Sequence, residues 1–243
     1  MDTPGATPAN LQPSNEPREW PAGWHVAVVE ETGSTNADLL AAAADGAANR
    51  SVLVARHQTA GRGRLDRRWE AQSGANLLVS LLFREIPEAP HVLTQRVGLA
   101  AIAACQQVAG VQPTLKWPND LLLDDVKLAG ILAQARLGAQ PAVVVGIGIN
   151  VGWAPEGSAR LGDAVDPLDL LAAMLRAYDE LPANVWLLYR NNLGTLGRSV
   201  RVELADAMVE GRALDVEPDG RLVVLDGCGV THRFAVGDVV HLR

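Results

Sequence analysis

Residues 75 to 84, ANLLVSLLFR, are apolar at nearly every position, so both faces of the segment must be covered. A strand of that kind belongs at the centre of a sheet, and the rest of the chain reads as its surroundings. HVAVVEE (25–31) and SVLVARHQ (51–58) are strands that precede it. Between them STNADLLAAAADG reads as a helix, capped by Ser34 or Thr35 and stopped at Gly46. VLTQRVGLAAIAACQQVA is a buried helix. TLKW, then LLLDD with VKLAGILAQARL, then AVVVGIGINV are further strands joined by tight turns. PLDLLAAMLRAYDELPANVWLLYRNNL supplies one or two helices. After Gly197 the texture shifts to short alternating strands with turn signals at EPDG, LDGCG and VGD, which suits a small β-barrel of SH3-like size. Residues 1 to 22 hold five of the fourteen prolines and no apolar run. The expected division is therefore a disordered Pro-rich tail at 1–24, a main domain at 25–196 and an SH3-like domain at 197–243. The fold class is α+β, a mixed β-sheet flanked by helices with a small C-terminal barrel.

The formal net charge of −7 argues against a general nucleic-acid binder. The N-terminal segment lacks the regions of a signal peptide, and no stretch is long and apolar enough to span a bilayer, so a cytoplasmic protein without a membrane partner is expected. Cys105 and Cys228 are too few and too distant for a disulfide framework, and a metal site needs more ligands. The histidines at 25, 57, 91, 232 and 241 show no ligand spacing.

Against this acidic background, TAGRGRLDRRW (59–69) gathers four arginines and two glycines, with almost nothing apolar before Trp69. Gly61 and Gly63 allow a ligand to approach the main chain, and Arg62, Arg64 and Arg67 carry forked donors for carboxylate or phosphate. With so little to bury, such a loop gains order when an anion arrives. The same residues also describe a plain solvated arginine loop. It is not a P-loop, because G-x-x-x-x-G-K-[ST] is absent.

Only two of the 21 basic side chains are lysine, Lys116 and Lys127, and they bracket WPND. In TLKWPNDLLLDDVKLAG (114–130), Pro118 and Asn119 force a turn after a strand and leave Lys116 and Asp120 at its mouth. Two ammonium groups and a carboxylate on adjacent strand ends suit a polyphosphate with its metal, or an attacking amine; a hairpin turned by Asn-Asp fits the pattern equally well. VVVGIGINVG (143–152) has G-x-G-x-x-x-G spacing, a poor dinucleotide fingerprint. Gly146 and its neighbours would still let a flat ligand lie close, with Asn150 offering donor and acceptor. GSTN (33–36) sets Ser34, Thr35 and Asn36 at a helix start, where capping is the simplest role.

Taken in order, ETGSTN, HQTAGRGRLDRRW, KWPND, KLAGIL and GIGINV resemble the biotin protein ligases, over roughly residues 25 to 243. The related lipoate ligases share the fold without this arginine loop. The resemblance implies a class II synthetase-like ligase core and a two-step reaction. Biotin and ATP give biotinyl-5′-AMP and pyrophosphate; a lysine of a biotin carboxyl carrier domain, as in acetyl-CoA carboxylase, then takes the biotinyl group. It implies that Ser34, Thr35, Asn36, Gln58, Gly61, Arg62, Gly63, Arg64, Lys127, Gly130 and Gly146 line the biotin and adenylate site. Arg67 and Trp69 would close the loop. Lys116, Asn119 and Asp120 would serve phosphate, Mg²⁺ brought with ATP, and the incoming amine, and Asn150 would sit near the adenine. Lys127, Arg62, Arg64, Asp120 and Lys116 are the expected catalytic groups. The residues before HVAVVEE are too few and too proline-rich for a helix-turn-helix unit, so a mono-functional ligase that binds no DNA is expected. The alternatives are a lipoate- or octanoate-type acyl-adenylate ligase and a non-catalytic biotin-binding regulator.

Overall fold

The computed structural model describes residues 18–242. The central strand is β3 (Leu77–Phe83), buried at every position as its composition requires. It lies in a seven-stranded sheet of order β1-β2-β3-β7-β6-β5-β4, with β1 at His25–Thr32, β2 at Ser51–Gln58, β4 at Thr114–Lys116, β5 at Asp120–Leu123, β6 at Val126–Arg136 and β7 at Ala142–Ile149. Only β1 and β2 run parallel, joined by helix α1 (Thr35–Ala44). The other pairings are antiparallel. This is the expected mixed sheet.

Alternation along the strands sorts side chains onto two unlike faces. Val52, Val54, Val79, Leu81, Val145, Ile147 and Ile149 join the large core with helices α2 (His91–Ala109) and α3 (Pro167–Glu180). On the opposite face, Leu39 and Ala43 of α1 pack on Ala27, Leu53, Leu82 and Val144. Helix α1 covers one end of that face, and the functional cleft occupies the rest.

The glycines of β7 explain how. In Gly146-Ile147-Gly148-Ile149 the isoleucines point into the core, so the glycines fall on the cleft side and leave it bare. Gly148 is paired with Gly130 of β6 in register.

Strand β6 carries one irregularity. Leu121 pairs with Ala129 but Leu122 pairs with Lys127, so Leu128 is an extra residue, a β-bulge. Leu128 and Ala129 both enter the core. Lys127 and Gly130, three apart, would face opposite ways in a regular strand; the bulge puts both on the cleft side with Asp120. The turn just before it, Asp124-Asp125, has both residues at positive φ (51° and 64°), as a two-residue type I′ hairpin requires.

The C-terminal region forms a five-stranded antiparallel sheet of order β11-β10-β9-β8-β12, with β8 at Ser199–Glu203, β9 at Met208–Val216, β10 at Leu222–Asp226, β11 at Thr231–Phe234 and β12 at Asp238–His241. Its size and strand count agree with the SH3-like unit expected there. It is fastened to the main domain by polar contacts. Trp117 Nε1 donates to Gly220 O (3.0 Å), Trp186 Nε1 in helix α4 (Trp186–Asn191) donates to Val216 O (3.1 Å), and Arg190 pairs with Asp215 (2.6 Å).

Of the segment expected to be disordered, residues 1–17 lie outside the described residues. Residues 18–24 are packed instead. Arg18 pairs with Asp166 and Asp169 at the start of α3. Trp24 is buried against Phe83 and Tyr178 and donates to Asp179 (3.0 Å). Trp20 and Trp24 give this short stretch its apolar anchors. Among the described residues no helix is long and apolar enough to cross a membrane.

Candidate functional site

A cleft of about 390 Å³ opens between the bare end of the sheet, the arginine loop and the edge of the C-terminal sheet. Its floor is formed by Gly130 and Gly148. Trp69 lies on that floor so closely that a Cβ at Gly148 would come within 2.5 Å of the indole, and one at Gly130 within 3.1 Å. Lys127 reaches over the same surface. Its Nζ is 2.8 Å from Asp120 Oδ1 and 5.8 Å from the Trp69 ring centroid. Lys116 is paired in register with Asp120, so it rises on the same side. Burial holds its ammonium below the usual lysine range, partly opposed by the Asp120 carboxylate.

At the α1 end is a buried polar network. Thr35 N and Oγ1 both donate to Gln58 Oε1 (2.8 and 3.0 Å). Asn36 Nδ2 donates to Leu132 O and Gln134 Oε1, which fixes the amide so that its Oδ1 accepts from Ser80 Oγ (2.6 Å). That amide lies over Gly146, where a Cβ would be 2.2 Å from Asn36 Oδ1. With Gln58 Oε1 held by Thr35, its Nε2 is the end of the amide left to present N–H donors to a ligand carbonyl. Ser34 occupies the N-cap position, yet its hydroxyl makes no cap bond; the capping role expected of it is not used, and it borders the cleft.

The arginine loop folds as a miniature hairpin. Gly63 N donates to Arg67 O (2.7 Å) and Trp69 N to Gly61 O (3.0 Å), around a 3₁₀ turn at Arg64–Asp66 in which Leu65 takes φ 53°. Arg64 Nη1 donates to Asn119 Oδ1 and Gly237 O (3.2 Å each). Asn119 is itself pinned, donating Nδ2 to Ile131 O (2.8 Å). Arg67 donates to Asp238. Arg62 is exposed at the rim.

The expected residues therefore converge on one cleft, with one exception. Gly61 does not line it: a Cβ there would be 2.9 Å from Trp69 O, so this glycine admits the crossing backbone rather than a ligand. Asn119, expected to meet phosphate or amine, is occupied in orienting Arg64. Asn150 borders the cleft, donates Nδ2 to Ala159 O (3.0 Å), and buries an Oδ1 that has no partner among the described residues. Such an acceptor is satisfied by a ligand N–H. Sequence reasoning missed Ser80 beneath the network, and Glu203 and Asp238 from the C-terminal sheet. Asp238 has one signal in the sequence, the VGD turn, which by itself indicates only a turn.

Residues 26–150 match the model of the Biotin/lipoate A/B protein ligase family, and residues 195–242 match that of the Biotin protein ligase C terminal domain. A biotin–[acetyl-CoA-carboxylase] ligase of Mycobacterium tuberculosis is 43% identical, over 91% of each chain. The chain belongs to the biotin protein ligase family. The bifunctional ligase/repressor BirA of Escherichia coli, another member, is 30% identical, over 89% of this chain and 74% of its own. The biotin protein ligase of Aquifex aeolicus, solved in complex with biotin and ATP, superposes with a TM-score of 0.74 at 24% identity, covering 90% of this chain and 98% of that one. At that identity the match supports the biotin protein ligase fold.

Proposed function

We propose that this chain is an ATP-dependent biotin–protein ligase of the cytoplasm that makes biotinyl-5′-AMP and passes the biotinyl group to a lysine of a carboxylase carrier domain. The observation that carries the reading is the convergence of Lys116, Lys127, Arg64 and Arg67 on a single cleft whose floor is stripped to Gly130 and Gly148. Two anions that repel each other must meet there, beside the Trp69 indole that the two glycines admit to the sheet.

In the first step a biotin carboxylate oxygen bonds to the α-phosphorus and the bond to the pyrophosphate oxygen breaks. Lys127 spans the carboxylate and α-phosphate, offsetting their repulsion, while Arg62, Arg64, Arg67 and Lys116 take up charge as pyrophosphate leaves. Gln58 Nε2, with Ser34 and Thr35, holds the polar head of the acid, and Asn150 Oδ1 accepts from the adenine amine. In the second step the carrier lysine nitrogen bonds to the acyl carbon and the acyl–phosphate C–O bond breaks, releasing AMP. Asp120, beside Lys127 and Lys116, receives the proton the amine gives up.

Mg²⁺ fits this donor set as a companion of ATP. Among the described residues no group of three or more His, Cys, Asp or Glu could hold a metal. One carboxylate, Asp120, together with substrate phosphates is the kind of set Mg²⁺ uses; the ion would shield phosphate charge.

The test offers the protein MgATP with biotin, lipoate or octanoate and measures pyrophosphate release, with mass spectrometry for retained biotinyl-5′-AMP. Release confined to biotin, followed by transfer to a carrier domain, is expected. Equal release with lipoate, or retention of biotin without pyrophosphate, refutes the reading.

A further inference from the structure

We propose that Asp238, carried by the C-terminal sheet, is a positioning residue for the arginine loop, holding Arg64 and Arg67 over the cleft before any substrate anion binds. What the loop then does rests on the ligase reading; the contact itself does not.

The loop has reason to open without such a hold. Its guanidinium groups repel one another and the nearby Lys116 ammonium, and Leu65 sits at φ 53°, a backbone conformation costly for a non-glycine residue. Leu65 is also 70% exposed, so it anchors nothing. Within the loop, Trp69 alone supplies an apolar footing.

Asp238 provides a countercharge from another part of the chain. Its Oδ1 is 3.5 Å from Arg64 Nη1, and its Oδ2 accepts from Arg67 Nη2. The carboxylate side chain is only 17% exposed and that of Arg64 24%, so this pairing escapes much of the screening that weakens surface ion pairs, whereas the Arg67 side chain, 65% exposed, is held nearer the solvent. Its neighbour Gly237 adds a carbonyl to Arg64 at 3.2 Å. Gly237 has φ 141°, and a Cβ there would be 2.9 Å from Val202, so the backbone that delivers the carbonyl requires glycine. Register with Glu203 on β8 fixes where Asp238 emerges.

The form of the grip suits positioning. One carboxylate is shared by two guanidinium groups, with Oδ1 facing Arg64 Nη1 and Oδ2 facing Arg67 Nη2. The loop is thereby pre-set, and a substrate phosphate meets arginines already in place.

The experiment compares wild type, Asp238→Asn and Asp238→Glu. Trypsin cleavage at the loop arginines is followed without ligands, and pyrophosphate release is measured against ATP concentration. Asp238→Asn should keep the wild-type circular dichroism, be cleaved about tenfold faster and show a KM for ATP about tenfold higher, with kcat within about twofold. Asp238→Glu should recover most of both losses, which a general packing role would not allow. Unchanged cleavage and KM overturn the proposal, as does a lower KM, which would mean that the carboxylate competes with phosphate. If wild type releases no pyrophosphate with biotin, the ligase reading fails, while the cleavage rates still decide on Asp238.

Discussion

Gly148→Ala tests whether the bare floor exists for ligand and loop or for the packing of the sheet. The added methyl would stand 2.5 Å from Trp69 Cε2, 2.7 Å from Nε1 and 2.8 Å from Cζ2. Carbon contacts settle at about 3.5–4.0 Å, so the ring must withdraw by about 1 Å. Overpacking of this kind costs roughly 1–3 kcal/mol against rigid neighbours. Here the neighbour belongs to a surface loop, so the cost falls on the loop's closed position and not on the sheet. A penalty of about 1.4 kcal/mol shifts the closed-to-open ratio about tenfold. Gly148→Ala should therefore melt within about 2 °C of wild type, while trypsin cleaves the loop about tenfold faster and the KM for biotin rises by a similar factor. Cleavage at the wild-type rate would refute the reasoning, because Trp69 would then not depend on the glycine. A large fall in melting temperature would refute it too, by assigning Gly148 to the core.

Lys127→Arg should fold normally and lose adenylation by about a hundredfold, the scale of removing one transition-state donor, because a longer forked group cannot occupy the 2.8 Å position beside Asp120 and over the Trp69 ring; pyrophosphate release near the wild-type rate would show the ammonium to be replaceable. Burial, with Lys116 and Arg198 nearby, pushes the His241 imidazole down to about 4. Between about pH 6.5 and 4 the unfolded chain binds a proton that the folded chain refuses, so this histidine's contribution is full above that window and is lost as pH falls through it. Melting temperatures of wild type and His241→Gln at pH 7 and pH 5 should show a smaller acid loss in the variant. Thr195→Val should destabilise by about 1–3 kcal/mol in urea titrations, because the buried Trp117 N–H would lose its acceptor, Thr195 Oγ1, at 3.0 Å.

Local chemistry made much of this molecule legible. SVLVARHQ is strand β2 residue for residue, and the largely apolar run at 75–84 contains the central strand β3. The glycines at 146 and 148 lie on one face because strand geometry alternates, and composition alone exposes that alternation. What stayed hidden depends on distance or on departures from regularity. A period of two assigns Lys127 and Gly130 to opposite faces; only the bulge at Leu128 reunites them. Asn36 reads as a helix-start residue, because its partners Leu132 and Gln134 lie nearly a hundred positions away. The hold on Arg64 and Arg67 is hidden for the same reason, since the carboxylate facing both comes from residue 238.

The bulge at Leu128 makes the stretch from Lys127 to Gly130 indivisible for anyone who re-engineers this chain. Deleting Leu128 would restore a regular pleat, and a one-residue slip reverses every side chain beyond it. The ammonium would then point among the apolar residues that now receive Leu128, or the bare glycine would leave the cleft floor. The Asp124-Asp125 turn just before it is solvent-facing and free of that constraint. Libraries aimed at the acid the enzyme accepts should therefore vary residue identities around this stretch while keeping its length, and place insertions in the hairpin.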